Sequence, residues 1–221
     1  MEKMPYQPGV AFIPSPIPVT EVGTPGAGDW RHCLPTMRGS QITLRELRPS
    51  DAPSLFAAMT SQEVAQFISP PPATLEGFER FISWAHRGRA AGRYVCFAIV
   101  PNGSETAIGL FQLRSLAPDF ATSEWGFALA SEYWGTGIFS DGARLMLDFA
   151  FTIVGAHRLE ARAAIKNGRG NGALRKLGAV LECVLRRSFL RNGEYLDQAL
   201  WTILADDWME LKTTSTPNIV H

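Results

Sequence analysis

The sequence has few of the residues that mark secreted, disulfide-bonded or metal-binding proteins. It contains three cysteines, Cys33, Cys96 and Cys183, which are widely separated and odd in number. This usage is typical of free thiols in a reducing compartment, and no cysteine pair has the spacing of a metal site. We therefore predict no disulfide and no metal. Cys96 and Cys183 lie in apolar, strand-like runs, so we expect both thiols to be buried.

Long apolar runs and an excess of one charge are also missing. No run approaches the ~20 apolar residues needed to cross a bilayer, and prolines interrupt the N-terminus where a signal peptide would be apolar. We therefore expect a cytoplasmic protein that does not associate with membranes. Lys and Arg together number 21, as do Asp and Glu, so the net charge is zero. Nucleic-acid binders usually have a basic excess, so we expect no nucleic-acid partner.

The length of 221 residues favours one domain with extensions. Residues 1–40 hold seven of the fifteen prolines, so this segment cannot sustain a helix or a central strand. We expect a proline-rich arm over 1–40 that packs on the body or on a partner subunit, or is disordered in isolation. The domain itself is predicted over 41–212, followed by a C-terminal tail over 213–221.

Hydrophobic periodicity in the body predicts a mixed α/β sheet in one domain. Asn192-Gly193 between two alternating runs is a strong signal for a terminal β-hairpin, because both residues accept positive φ. Thr74 is the predicted N-cap of a helix over 75–90. Strands are predicted at 41–47, 94–100, 106–116, 122–130, 158–164, 180–190 and 195–204, and helices at 51–60, 61–68, 75–90, 139–154 and 170–177.

A double-glycine loop follows the strand at 122–130 and begins the helix at 139–154. Glycines let an anion approach the backbone, and a helix N-terminus offers unpaired N–H groups with a partial positive charge. The loop lacks the lysine of a Walker loop and the third glycine of a dinucleotide-binding loop. It therefore predicts a pyrophosphate site made of backbone amides, with a simple strand-to-helix turn as the alternative. The predicted site comprises Trp134, Gly135, Thr136, Gly137, Ile138, Phe139 and Ser140.

Several motifs occur in an order and spacing that resemble the GNAT superfamily of acetyl-CoA-dependent N-acetyltransferases, over about residues 40–210. The resemblance is closest to the branch of the ribosomal-protein N-terminal acetyltransferases (RimJ/RimL type). It implies a single α/β (α+β) domain with a mixed, mostly antiparallel central sheet flanked by helices and ending in a β-hairpin. The motifs are Glu124-x-Gly-Phe, Tyr133-x-Gly-x-Gly, Asp148-Phe-Ala-Phe, His157-Arg-Leu-Glu-Ala-Arg, Asn167 and Leu174-Arg-Lys-Leu-Gly.

The resemblance implies acetyl-CoA as co-substrate and a primary amine as acceptor, on a protein N-terminus or on a small molecule. Glu124 matches a strand carboxylate that deprotonates the amine in some members; a solvent-facing or salt-bridged carboxylate is the alternative. A lysine-type amine has a pKa of about 10.4 and is therefore an ammonium at neutral pH. The reaction needs a base to remove a proton before the amine can attack. The remaining predicted contacts with acetyl-CoA, besides the glycine loop, are the backbone at Phe127, Ala128 and Leu129 and the side chain of Asn167.

Four positions depart from the family pattern. Trp134 stands where Gln or Arg usually begins the loop, and Phe139 stands where a small residue is usual. Leu174 occupies the position of the tyrosine that is the general acid in many members, and Gly170 replaces a serine. An acyl-CoA-binding module with little or no activity is therefore the alternative to an active enzyme. A homodimer is expected as a further possibility.

Overall fold

The structure is a computed structural model that describes residues 29–215. Residues 1–28 of the predicted arm and 216–221 of the predicted tail lie outside the described residues. The strands are β1 Met37–Arg38, β2 Ile42–Glu46, β3 Tyr94–Pro101, β4 Gly109–Ser115, β5 Thr122–Leu129, β6 Arg158–Ala164, β7 Val180–Arg191 and β8 Glu194–Leu204. The helices are α1 Ala52–Thr60, α2 Gln62–Ala65, α3 Leu75–Ala90, α4 Ile138–Asp148, α5 Gly168–Lys176 and α6 Ala205–Ser215.

Within these residues the strands form one eight-stranded sheet, in the order β1-β2-β3-β4-β5-β6-β8-β7. Every neighbouring pair is antiparallel except β5 and β6, which are parallel. One core packs α4 against one face of the sheet, and a second core packs α1 and α3 against the other. The predicted fold class, a mixed and mostly antiparallel sheet flanked by helices with a C-terminal hairpin, is confirmed.

Local sequence signals account for several element ends. The side chain of Thr74 accepts a hydrogen bond from the backbone N–H of Gly77, which satisfies one of the free donors at the start of α3. Asn192 and Gly193 join β7 to β8 with φ of 50° and 78°, as a hairpin turn with two left-handed residues requires. The predictions for α3 and for the hairpin are confirmed.

The helix predicted over 139–154 has two parts. A regular α-helix ends at Asp148, and Phe149–Val154 follow as a π-helical segment. The wider π turn rotates the side chains after Asp148 relative to a 3.6-residue repeat. Ile153, which helical spacing places on the apolar stripe, is consequently 37% exposed, whereas Phe151 is buried.

Two other expectations are wrong in detail. Cys96 is buried as expected, but Cys183 is exposed because it lies on β7, the edge strand of the sheet. The strand expected from residue 106 begins only at Gly109.

The described part of the predicted arm packs on the domain. Trp30 and Leu34 are buried in the core on the α4 side of the sheet, and Met37 and Arg38 pair with β2.

Candidate active site

The site begins where β5 and β6 separate. The two parallel strands pair only over Thr122 to Glu124 of β5 and Arg158 to Glu160 of β6. Beyond that point β5 keeps its pairing with β4 as far as Leu129, and β6 keeps its pairing with β8. The sheet therefore opens into a cleft whose two walls are the last residues of β5 and the last residues of β6.

Backbone groups of β5 point into this cleft at alternate residues. Hydrogen bonds join the carbonyl oxygen of Thr122 to Leu116 and the N–H of Ala130 to Ile108, so the backbone groups of even-numbered residues face the β4 side. The N–H and C=O groups of Phe127 and Leu129 consequently face the cleft. Ala128 faces β4 with its backbone and contributes its side chain to the cavity described next.

A cavity of about 340 Å³ occupies the cleft on the side of the sheet covered by α1 and α3. It lies beside Glu124 and brings together four of the predicted site residues, whereas Leu129 and the glycine loop lie beyond its lining, at the end of β5. The four are Glu124, Phe127, Ala128 and Asn167.

Glu124 lines the cavity, and one of its carboxylate oxygens already accepts a hydrogen bond. Arg114, directly opposite on β4, donates a hydrogen bond from Nη2 to Oε2 of Glu124. The Glu124 side chain is 24% exposed and that of Arg114 is 57% exposed. Glu124 is therefore salt-bridged and also lines the cavity, and its role as a base stays a prediction.

A glutamine amide is fixed next to Glu124. The buried Tyr94 donates its hydroxyl hydrogen to Oε1 of Gln112 at 2.6 Å, and burial raises the pKa of Tyr94, so the hydroxyl stays protonated. The other amide atom, Nε2 of Gln112, lies 3.0 Å from where a Cβ on Gly126 would stand. The absence of a side chain at Gly126 thus leaves the amide donor accessible from the cavity.

The glycine loop has the conformation that an anion site needs. Gly135 and Gly137 have φ of 79° and 92°, which a residue with a side chain rarely adopts, and Gly137 is the N-cap of α4. A Cβ placed on Gly135 would meet no atom within 4 Å besides its chain neighbours, so the space over Gly135 is open, whereas a Cβ on Gly137 would lie 3.0 Å from Nε2 of Gln41. The N–H groups of the first turn of α4, Ile138 to Ser140, lack partners within the helix.

The two bulky loop residues turn away from that open space. Trp134 folds back onto β5, and its indole Nε1 donates to the carbonyl oxygen of Leu129 at 2.9 Å. The guanidinium carbon of Arg169 lies 4.6 Å from the centre of the Trp134 ring. Phe139 packs on Phe127, with 4.4 Å between ring centroids. Phe139 therefore belongs to the aromatic packing between α4 and β5.

A strand that splits from its neighbour beside a carboxylate and ends in an amide-lined glycine loop is the arrangement expected of an acyl-CoA transferase. The GNAT acetyltransferase domain family matches residues 41–180 of the chain, which is well over half of its 221 residues. The chain belongs to the GNAT acetyltransferase family. It is therefore an acetyl-CoA-dependent acyltransferase.

Several relatives share most of the GNAT domain. The chain is 25% identical to the N-acetyltransferase YoaA of Bacillus subtilis over 77% of this chain and 97% of the relative. It is 24% identical to the spermidine N(1)-acetyltransferase of Vibrio cholerae over 77% and 96%. The structure of Mycobacterium smegmatis RimJ in complex with CoA-disulfide superposes with a TM-score of 0.70 at 21% identity, covering 78% of this chain and 88% of RimJ.

The GNAT positions after β6 have local roles in the structure. Asn167 caps α5, because its Oδ1 accepts from the N–H of Gly170 at 2.9 Å. A Cβ on Gly170 would lie 2.6 Å from Nδ2 of Asn167 in its present position. Leu174 is buried and lines the cavity.

Metal-ligand clusters and membrane-spanning helices are absent from residues 29–215. These residues contain no cluster of three or more His, Cys, Asp or Glu side chains that could hold a metal ion. None of the helices described there is long and apolar enough to cross a membrane. The GNAT fold uses acetyl-CoA as the donor, and the backbone groups of the cleft and of the glycine loop suit its amide-bearing and anionic parts.

Sequence reasoning missed two parts of the site. Gln112 is a polar residue in an apolar strand and lies opposite Gly126 in the register of β4 and β5. That break in the apolar pattern was the available signal. The second part is the tip of the hairpin, where Arg191 Nη2 donates to the carbonyl oxygen of Ala65, the last residue of α2, at 2.6 Å. No local pattern predicts a contact across 126 residues of chain.

Proposed function

We propose that the chain transfers an acetyl group from acetyl-CoA directly to a primary amine, with Glu124 as the base. The single observation that carries the proposal is the separation of β5 from β6 immediately after Glu124. This separation leaves backbone N–H and C=O groups of one strand unpaired beside a carboxylate and a cavity. A cleft of this kind accepts an extended amide chain as an added strand.

Acetyl-CoA would be held by groups at three places along the cleft. The backbone of Phe127 and the N–H of Leu129 would pair with the pantetheine amides. The amides from Gly135 to Ser140 would bind the pyrophosphate, with the positive end of the α4 dipole beneath it. Asn167 would contact pantetheine through Nδ2, since its Oδ1 already caps α5.

The reaction needs no covalent enzyme intermediate. Glu124 would take one proton from the acceptor ammonium, directly or through a water, and the free amine would then attack the thioester carbonyl carbon. The C–N bond forms, the C–S bond breaks, and CoA leaves as a thiolate. A second amine proton is lost to solvent or to the thiolate, and the third stays on the amide nitrogen. Backbone N–H groups of β5 that face the cleft would stabilise the oxyanion.

Two measurements on the purified protein test the proposal. Acetyl-CoA should raise the melting temperature, because a ligand at a hundred times its Kd stabilises by about 2.7 kcal/mol. Release of free CoA thiol should then depend on an added primary amine. An unchanged melting temperature at millimolar acetyl-CoA would contradict the proposal. Stabilisation without turnover on a broad amine panel would instead favour the acyl-CoA-binding module.

A homodimer is a second proposal, supported by the free edge of the sheet. β7 has no strand partner other than β8 within residues 29–215, and large apolar side chains along it are about half exposed: Val180, Leu181, Val184 and Leu190. Unpaired edges with apolar side chains are surfaces that pair with another chain. Light scattering coupled to size exclusion would measure the mass, and a monomer at all concentrations would refute the dimer.

A further inference from the structure

The chemistry of the cavity wall restricts the acceptor amine. Apolar side chains and prolines make up most of the wall on the side away from the cleft. Three prolines, Pro70 to Pro72, line it from the loop between α2 and α3, together with Phe67 and Ile68. The other apolar lining residues on this side are Met59 from α1, Phe78 and Phe81 from α3, Leu110 from β4 and Phe189 from β7.

Charged groups in the wall are few and already paired. Glu124 and Arg162 are the two charged side chains among the lining residues, all of which belong to the described part of the chain. Glu124 binds Arg114, and Arg162 lies 3.9 Å from Glu160. An acceptor with one ammonium group can place it at Glu124. A second ammonium group would find no further carboxylate in the lining, and Arg162 would repel it.

The β7–β8 hairpin and α2 meet beside the cavity. The hydrogen bond from Arg191 to the carbonyl oxygen of Ala65 ties the tip of the β7–β8 hairpin to the end of α2. A volume of about 340 Å³ is at the low end of the range for small-molecule sites, roughly 300–1,000 Å³. Because the acetyl end of the donor must share this space, the remaining room suits one ring or a short branched chain.

We propose that the acceptor is a small primary monoamine with an apolar body, aryl-alkyl or branched alkyl, and that the site discriminates against polyamines. This inference rests on the function proposed above. The ammonium group lies at Glu124, and the body lies against Phe81 and the proline loop. The wall of the acceptor cavity would thus distinguish this protein from the spermidine N(1)-acetyltransferase to which its sequence is similar.

The test compares amines of similar length on the full-length protein with saturating acetyl-CoA. We expect kcat/KM for 2-phenylethylamine to exceed that for spermidine and for putrescine by at least about tenfold, since an unpaired buried charge costs that much or more. Calorimetric binding of the same amines to the CoA-bound protein should give the same order. Preference for spermidine, or for a peptide N-terminus over 2-phenylethylamine, overturns the inference.

The outcomes separate this inference from the proposed function. If acetyl-CoA stabilises the protein but none of the apolar monoamines binds or reacts, the acceptor class is wrong and the acetyl-CoA site stands. If acetyl-CoA itself fails to bind, the proposed function fails and this inference fails with it.

A designed carboxylate supplies an independent check. Phe81 is half-buried in the wall, so Phe81→Asp should raise the ratio of kcat/KM for putrescine to that for 2-phenylethylamine by about tenfold. Phe81→Asn, of the same size without the charge, should not raise it. Leu75→Asp, on the same helix but outside the lining, should also leave the ratio unchanged. Equal ratios in all three variants and the wild type would contradict a wall that selects by charge.

Discussion

Trp134 donates its indole N–H to the carbonyl oxygen of Leu129 at 2.9 Å. The bond folds the first residue of the glycine loop onto the end of β5 and occupies one of the backbone groups that face the cleft. The same ring lies under the guanidinium of Arg169 from α5. Trp134 therefore ties together the two elements that follow β5 and β6, the strands that separate at the active site.

Trp134→Phe should remove the indole hydrogen bond and retain most of the packing. We expect a loss of about 1 kcal/mol in the free energy of unfolding, measured with urea, because the Leu129 carbonyl loses its protein donor. The Kd for acetyl-CoA should stay within about threefold, since the proposed site holds the anion through backbone amides rather than through this side chain. Trp84→Phe is the matched control, as Trp84 is 48% exposed. A tenfold weaker Kd would place the indole in the binding site.

Glu124→Gln should leave acetyl-CoA binding unchanged and slow acetyl transfer. Removing a general base typically costs 10²–10⁴-fold, and the loss should be greatest at low pH, where the acceptor is most fully protonated. Steady-state kcat/KM across pH, together with calorimetric acetyl-CoA binding, measures both effects. Glu63→Gln, an exposed carboxylate on α2, should behave as wild type. An unchanged rate in Glu124→Gln would remove Glu124 as the base.

Tyr94→Phe should destabilise the fold through Gln112. Without the 2.6 Å hydrogen bond from Tyr94, the amide is free to turn its donor away from the cavity. We expect a loss of about 1 kcal/mol in the free energy of unfolding, measured with urea, because Oε1 of Gln112 loses its donor. Gln112→Leu should cause a similar loss, and the double variant should lose no more than either single variant, because the residues act as one unit. Additive losses would mean that Tyr94 acts independently of Gln112.

The sequence predicts those parts of the site that depend on local backbone chemistry. Gly135 and Gly137 were recognisable because an anion loop before a helix needs positive φ, and Asn192-Gly193 because the hairpin turn needs it. The contact of Arg191 with Ala65 depends on how the hairpin lies against α2, which no periodicity encodes. Likewise, the burial of Phe151 in place of Ile153 follows from the π turn after α4.

The start of α4 is fastened to the N-terminal part of the domain by Asp141. Its carboxylate accepts hydrogen bonds from the backbone N–H groups of Ser40, Gln41 and Ile42 at 3.1, 2.8 and 3.3 Å, and from the Ser40 hydroxyl at 3.1 Å. Burial tends to raise the pKa of Asp141, but these hydrogen bonds outweigh it and hold the pKa below the usual 3.8.

Asp141→Asn should therefore destabilise the protein in a pH-dependent way. The folded-state pKa is lowered, so the carboxylate stabilises the fold above about pH 4 and this contribution disappears as the pH falls through the folded pKa. We expect a loss of about 1–2 kcal/mol at pH 7, measured by urea unfolding, and a smaller difference from wild type near pH 3.

Gly39→Ala should cause a similar loss of stability at pH 7, because the added Cβ would lie 2.5 Å from Oδ2 of Asp141. Gly172→Ala, on α5 with no atom within 4 Å of the added Cβ, is the control for glycine replacement. A difference between Asp141→Asn and wild type that is as large at pH 3 as at pH 7 would show that the charge of Asp141 does not stabilise this junction.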